Sequence, residues 1–188
     1  MTFKLEHPLP YGLDERTRSA DFWPTPRHCV DSLLAVDPPP PERVVLDPCA
    51  GDGAIIRVLQ EHGYTCNALE IRESERVSLQ KLCPTHIGNF LEEPFLLARR
   101  CSVLTNPPFS LAVHFARKCM DCPWVALLLR CNVIGSNTWA SLWDHYPPSA
   151  IYPLKRRPSF SGDGKTDASE YAWFVWEHTR APMELKPI

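Results

Sequence analysis

The stretch VVLDPCAGDGA, Val44 to Ala54, decides the fold that we predict. Its apolar start, residues 44–46, is typical of a short, buried parallel strand, and residues 55–62 predict a helix directly afterwards. Gly51 and Gly53 lie where the strand becomes the helix, and glycine lets a backbone come close to a ligand. We therefore expect a strand–turn–helix unit of an α/β domain, with a ligand at the turn.

The same turn lacks the features of a nucleotide phosphate site. A dinucleotide fingerprint would place its third glycine at position 56, which is Ile56, and no Gly-Lys-Ser or Gly-Lys-Thr follows. Asp47 and Asp52 add negative charge, which disfavours a phosphate and suits a cationic ligand. The next predicted strand, 65–69, leads into Glu70, whose carboxylate can accept both hydroxyls of a ribose.

A second motif, Asn106-Pro107-Pro108-Phe109, follows the strand-like run 101–105. The Asn106 side-chain oxygen and the Pro107 carbonyl can each accept a hydrogen from one exocyclic amine, and Phe109 can stack on the ring that bears it. Two acceptors on one nitrogen direct its lone pair along a single line, and the fixed φ of proline holds the carbonyls in place. Taken alone, the motif is equally typical of a turn that ends a strand.

Taken together, residues 47–53, Glu70 and residues 106–109 resemble a class I S-adenosylmethionine-dependent methyltransferase of the kind that methylates amines. Residues 21–26 resemble the N-terminal motif by which DNA adenine methyltransferases hold the methionine part of the cofactor. Residues 157–176 are similar to the C-terminal part of phage-type DNA N6-adenine methyltransferases. The resemblance covers most of the chain, roughly from Asp21 to Glu177.

The resemblance implies a role for each matching residue. The cofactor S-adenosylmethionine would lie across the carboxyl ends of the strands, with its ribose on Glu70. Its adenine would lie near Asn89, where the family often has an acidic residue. The implied cofactor contacts are Trp23, Thr25, Pro26, Asp47, Pro48, Gly51, Gly53, Glu70 and Asn89. The implied catalytic residues are Asn106, Pro107, Pro108 and Phe109.

The segment after the sixth predicted strand is the expected contact with DNA. Lys155, Arg156 and Arg157 form the densest basic cluster of the chain, and Lys165 follows. Phe160 lies among serines and glycines, so we expect an exposed ring that could stack on a flipped-out base. A solvated charge run is the alternative interpretation. The tryptophans of the second half are more typical of core positions: Trp139, Trp143, Trp173 and Trp176.

The chain of 188 residues suits one α/β domain. We predict an N-terminal arm over 1–26, the methyltransferase domain over 27–180 without a separate target-recognition domain, and a tail over 181–188. The resemblance implies a Rossmann-like, mostly parallel seven-stranded sheet with helices on both faces and an antiparallel edge strand. The predicted strands lie near 43–47, 65–69, 85–88, 101–105, 124–131, 150–154 and 171–177.

Composition bears on the partners and the cellular compartment that we expect. The net charge of −2 gives no basic character to the whole chain, so any nucleic-acid footprint must be local. Nothing near the N-terminus resembles a signal peptide, and no apolar run approaches a membrane span. The eight cysteines lack framework spacing and predict reduced, intracellular thiols. Residues 119–122 form the one Cys-x-x-Cys, and without a second pair we expect no metal.

The resemblance implies transfer of a methyl group to the N6 amine of adenine in DNA, in the cytoplasm of a bacterial host, and it leaves open whether the host genome or a phage or prophage encodes the chain. Enzymes that methylate RNA adenine or a protein glutamine amide share the Asn-Pro-Pro-aromatic motif and stay open as alternatives. A non-catalytic module that binds S-adenosylmethionine or nucleic acid is the remaining one.

Overall fold

The computed structural model describes residues 23–93, 100–160 and 166–184. Part of the predicted N-terminal motif, Asp21 and Phe22, lies outside these ranges, as does Lys165.

The described residues form one seven-stranded sheet with the order β3-β2-β1-β4-β5-β7-β6. Strands β1 to β5 pair in parallel with one another, whereas β7 lies between β5 and β6 and is antiparallel to both. The predicted mostly parallel sheet with antiparallel pairing at one edge is confirmed. The strands are Val45–Asp47 (β1), Cys66–Glu70 (β2), Thr85–Ile87 (β3), Ser102–Thr105 (β4), Trp124–Arg130 (β5), Ala150–Pro153 (β6) and Tyr171–Glu177 (β7).

Helices cover both faces of this sheet. Successive side chains of its buried strands point to opposite faces, so apolar side chains must be covered on each face. Leu46 and Val103 belong to the core on the side of α4 and α5, whereas Val45 and Leu104 belong to the core beneath α1, α2 and α3. The helices are Arg27–Leu34 (α1), Ala54–Glu61 (α2), Arg76–Gln80 (α3), Ala112–Cys119 (α4) and Asn137–His145 (α5).

The core contains the aromatic residues that the sequence predicted for it. Trp139, Trp143, Trp173 and Trp176 are all buried, and Trp143 stacks on both Trp139 and Trp176. The eight cysteines all lie in described ranges and are free thiols. Across the described residues, no helix combines the length and the apolar character that a membrane span needs.

The turn between β1 and α2 depends on two glycines with left-handed backbones, Gly51 at φ 59° and Gly53 at φ 86°. A Cβ on Gly53 would lie 2.6 Å from Leu82 Cδ1 and 3.2 Å from Leu79 Cδ2. Glycine is therefore favoured at position 53 by the dihedral angle, and a Cβ there would also require the Leu82 side chain to move.

Gly63 offers a matched comparison, because its φ is also 86° but a Cβ there would meet no atom within 4 Å. Gly63→Ala should lower the free energy of unfolding by about 1 to 2 kcal/mol, the cost of the left-handed backbone. Gly53→Ala should lower it by about 2 to 4 kcal/mol, because overpacking against Leu82 is added. Urea unfolding of both variants measures the difference, and equal losses would contradict the packing argument.

Candidate active site

The carboxyl ends of β1, β2 and β4 border one cleft, at the point where the strand order reverses around β1. Open α/β sheets bind ligands at this position. The cleft has a volume of about 1020 Å³, its open mouth included. Among its lining residues are most of those predicted from the sequence: Trp23, Thr25, Asp47, Pro48, Gly51, Glu70, Asn89, Asn106, Pro107 and Pro108.

Three predicted residues lie next to the cleft and not in its lining. Pro26 precedes α1 and accepts a hydrogen bond from the Cys29 N–H, so it starts that helix. Gly53 packs beneath the turn, as described above. Phe109 borders a second cavity on the side of β5.

Asp47 ends β1 and is 1% exposed. Its Oδ1 accepts hydrogen bonds from Thr105 Oγ1 at 2.7 Å and from the Cys49 N–H at 3.2 Å. Burial raises the pKa of Asp47 to about 7, although both hydrogen bonds oppose the shift. The negative charges of Glu70 and Asp52 add to it. The site thus contains a carboxyl group whose charge changes near neutral pH.

Glu70 ends β2 and is 4% exposed. Its Oε2 accepts a hydrogen bond from the Gly51 N–H at 2.7 Å, and its Oε1 accepts two from Arg72, from N–H and Nε, both at 2.9 Å. Glu70 therefore holds the glycine turn in place. The Gly51 N–H, which could otherwise donate to a bound anion, is already bonded to Glu70. Oε2 can still accept a second hydrogen bond, as a ribose hydroxyl would donate.

Asn89 follows β3 and has a local role. Its Nδ2 donates to Glu92 Oε1 at 2.7 Å, and its Oδ1 accepts from the Leu91 N–H at 3.1 Å. The side chain thereby shapes the turn after β3 while it lines the cleft. Its predicted contact with an adenine ring stays a prediction.

Asn106 follows β4 and has one buried, unpaired acceptor. Its Nδ2 donates to the Trp23 carbonyl at 3.3 Å, and because a carbonyl accepts only from the amide nitrogen, this bond fixes the amide orientation. The Oδ1 is buried and has no hydrogen-bond partner among the described residues. Such an atom costs about 1–3 kcal/mol.

Phe109 is half-buried in an aromatic cluster. Its ring lies 5.6 Å from Tyr171 and 6.2 Å from Phe160, and the guanidinium of Arg130 lies 4.4 Å from its centroid. The prediction of an exposed Phe160 is wrong: the ring is 7% exposed and packs against Trp23, Phe109 and Tyr171. Flanking serines and glycines suggested an open loop, but large rings from three distant segments cover this one.

The basic cluster lies beyond β6 on the surface. Lys155, Arg156 and Arg157 are exposed. Arg157 forms an ion pair with Glu170, and its Nε donates to Glu170 Oε1 at 2.8 Å. The charge of Arg157 is therefore partly neutralised by Glu170, whereas Lys155 and Arg156 have no such ion pair among the described residues. In the part of the chain that the structure describes, no three His, Cys, Asp or Glu side chains are grouped as for a metal ion.

Sequence reasoning missed two residues that organise the site. Thr105, the polar residue at the end of the buried strand β4, joins that strand to Asp47. Arg130 ends the buried strand β5, and its contact with Phe109 depends on strand order. A polar residue at the end of a buried strand is the signal that could have drawn attention to both.

The buried position of Asp47 predicts a stability that depends on pH. Its folded pKa, about 7, lies above the ordinary value of 3.8, so the folded chain binds more protons than the unfolded chain between these values. The contribution is present below about pH 4 and is lost as pH rises through about 7. Asp47→Asn removes this loss, and its unfolding free energy should exceed that of the wild type by up to about 4 kcal/mol at pH 8.

Thermal unfolding at pH 5 and pH 8 tests this expectation. Asp144→Asn, at an exposed carboxylate of α5, is the control and should leave the difference between the two pH values unchanged. A wild type whose stability rises from pH 5 to pH 8 relative to Asp47→Asn would refute the assignment.

No family model matches the chain, and a search of curated proteins found no match. Solved structures do share its fold. A protein assigned as the modification subunit of a type I restriction enzyme from Vibrio vulnificus YJ016 aligns with a TM-score of 0.66 and 18% identity over 89% of this chain and 48% of that one. The EcoKI M protein, also of a type I restriction enzyme, aligns with a TM-score of 0.62 and 16% identity over 83% and 44%.

An RNA methyltransferase from Salinibacter ruber, crystallised with S-adenosyl-L-homocysteine, aligns with a TM-score of 0.52 and 17% identity over 87% of this chain and 99% of that one. The chain spans about half the length of the two restriction-enzyme subunits and nearly the full length of this third protein. At these identities the likeness concerns the fold. The chain has the Rossmann-like fold of methyltransferases.

Proposed function

We propose that the protein transfers a methyl group from S-adenosylmethionine to the exocyclic N6 amine of adenine in DNA. The observation that carries this proposal is the buried, unpaired Oδ1 of Asn106 in the cleft. An acceptor atom in this position suits a ligand that brings an N–H donor. The aromatic Phe109, three residues further along, suits a ligand whose donor is attached to a ring.

The other side of the cleft fits the cofactor. S-adenosylmethionine supplies an electrophilic methyl group on a sulfonium, together with a cationic amino group and a ribose. Asp47 and Glu70 line the cleft with buried carboxylates, and the Gly51 N–H is already bound to Glu70, so the turn favours a cation over a phosphate. Trp23 and Thr25 would hold the amino-acid end beside Asp47, Glu70 would hold the ribose, and Asn89 would lie near the adenine.

Asn106 and Pro107 prepare the acceptor amine. Asn106 Oδ1 and the Pro107 carbonyl each accept one hydrogen of the NH2 group, so the nitrogen lone pair turns out of the ring plane and becomes nucleophilic. Fixed acceptors of this kind stabilise the positive charge that develops on the nitrogen during transfer. Pro108 precedes the short turn 109–111 with φ −53°, and the Leu111 N–H donates to its carbonyl, which fixes the motif. The proton leaves after the methyl group has arrived.

DNA is the preferred acceptor for two reasons. Both restriction-enzyme subunits share the fold, and the exposed Lys155 and Arg156 offer charge to a phosphate backbone. RNA adenine is the second candidate, because an RNA methyltransferase aligns over nearly its whole length.

Transfer of labelled methyl groups to unmethylated duplex DNA, single-stranded DNA, RNA and protein decides between the acceptors, with the product nucleoside identified by mass. The proposal expects N6-methyladenine in DNA. Label found only in RNA or protein would refute the DNA assignment, and bound cofactor without any transfer would refute the activity.

Asn106→Ala should lower kcat by at least about 100-fold, because one of two fixed hydrogen-bonding groups is removed. Folding should change little, by about 1 kcal/mol or less, since the lost bond to Trp23 is offset by removal of an unpaired buried acceptor. Methyl transfer and thermal unfolding are measured together, with cofactor binding followed by calorimetry. Asn137→Ala, at the exposed start of α5, is the control. An Asn106→Ala enzyme with normal kcat would contradict the mechanism.

The basic cluster predicts a graded salt dependence of DNA binding. Lys155→Ala and Arg156→Ala should each reduce the slope of log K against log salt by about 1, as expected for a phosphate contact. Arg157→Ala should reduce the slope less, because Arg157 is paired with Glu170. Fluorescence anisotropy with a labelled duplex at several salt concentrations gives the slopes. Equal slopes for the wild type and the first two variants would remove this cluster from the interface.

A further inference from the structure

Arg130 stands at the mouth of a second cavity beside the Asn-Pro-Pro-Phe motif. Its side chain is 38% exposed, and its guanidinium carbon lies 4.4 Å from the centroid of the Phe109 ring. Ser110 borders both this cavity and the cleft, so the two spaces adjoin at the motif. The ring on which an acceptor is expected to stack is therefore already in contact with a cation.

Two side chains of the β7 region hold Arg130 in this position. Its Nε donates to the Tyr171 hydroxyl at 3.0 Å, and its Nη2 lies 3.5 Å from Asp167 Oδ2. The Tyr171 hydroxyl in turn donates to the same Asp167 oxygen at 2.8 Å. Asp167 is itself fixed, since its N–H donates to the Pro158 carbonyl and its Oδ1 accepts from the Ser169 N–H. The guanidinium is thus oriented by a small network and not by Phe109 alone.

We propose that Arg130 is a gate for the acceptor: its guanidinium occupies the stacking position on Phe109, and only a planar acceptor that stacks well displaces it. This inference rests on the proposed function. A nucleobase and a guanidinium are both flat and lie at similar distances from an aromatic ring, so they compete for the same place. Phe160 and Tyr171 also pack against the Phe109 ring. The acceptor would therefore replace the guanidinium on the side of Phe109 that borders the second cavity.

The gate would contribute to the choice of substrate. Stacking of a base on an aromatic ring is as strong as a partly exposed cation–π contact or stronger, whereas a side-chain amide has no ring to offer. Adenine can therefore replace Arg130, and a glutamine amide cannot. The ion pair with Asp167 stabilises Arg130 in its position on Phe109, so it adds to the free energy that an acceptor needs to displace the guanidinium.

Steady-state methyl transfer to a single-stranded oligodeoxynucleotide with one adenine tests the gate. Arg130→Ala should lower KM by about two- to fivefold, the loss of a partly exposed cation–π contact, with kcat unchanged. Asp167→Asn should lower KM in the same direction and by less. Arg76→Ala removes an equal charge from an exposed ion pair with Glu73 and should leave KM unchanged. A higher KM for Arg130→Ala would show a contact that helps binding, and a lower kcat would show a catalytic role; either result overturns the gate.

A binding measurement separates this inference from the proposed function. The same oligonucleotide with 2-aminopurine in place of adenine reports stacking by fluorescence quenching, and it should bind Arg130→Ala two- to fivefold more tightly than the wild type. Normal methyl transfer with unchanged KM and unchanged quenching in Arg130→Ala would refute the gate and leave the proposed function intact. A wild type that transfers no methyl group to any nucleic acid would refute the proposed function, and the quenching result alone would then decide whether Arg130 competes with a base for Phe109.

Discussion

The hydrogen bond from Thr105 to Asp47 joins the two halves of the site, and the rest of the cleft depends on it. Thr105 ends β4 and Asp47 ends β1, and the oxygens are 2.7 Å apart. The Cys49 thiol strengthens the junction, 2.8 Å from Thr105 Oγ1 and 3.4 Å from the Asn106 carbonyl. The strand that carries the glycine turn is thereby tied to the strand that carries Asn106. Under the proposed function, a shift of either strand would change the distance between methyl donor and acceptor, to which a transfer reaction is sensitive.

The cleft is rich in acceptors, and this composition selects its ligands. Asp47 and Glu70 are buried carboxylates, and Asn106, which lines the same cleft, has a buried side-chain oxygen without a hydrogen-bond partner among the described residues. Burial away from water disfavours the charged form of Asp47 and raises its pKa, and it leaves Asn106 Oδ1 without a donor among the described residues. In the proposed function, a cationic cofactor and an amine acceptor would both relieve this cost.

An aromatic cluster connects the periphery to the site. Trp23, Phe160, Phe109 and Tyr171 contact one another in sequence, at centroid distances between 5.2 and 6.2 Å. They come from the N-terminal segment, the segment after β6, the Asn-Pro-Pro-Phe motif and β7. Because the Trp23 carbonyl also accepts the hydrogen bond that orients Asn106, the cluster positions the Asn106 amide as well as the Phe109 ring. The packing explains why Phe160 is buried although its neighbours in sequence are small and polar.

The sequence by itself determined where the strands lie along the chain. All seven lie within two residues of their predicted positions, because short apolar runs between proline- and glycine-rich turns allow few other assignments. It also determined that Asp47, Glu70 and Asn106 would share one edge, since the carboxyl ends of parallel strands meet there. Only the tertiary structure decided which polar atoms are already used. Glu70 is bound to Gly51 and Arg72, Asn89 is bound within its own turn, and Asn106 Oδ1 is left unpaired. The Glu70–Gly51 and Asn106–Trp23 hydrogen bonds join residues 19 and 83 positions apart, and no local sequence pattern records such pairs. The contact of Arg130 with Phe109 belongs to the same class, because it exists only where β4, β5 and β7 lie side by side.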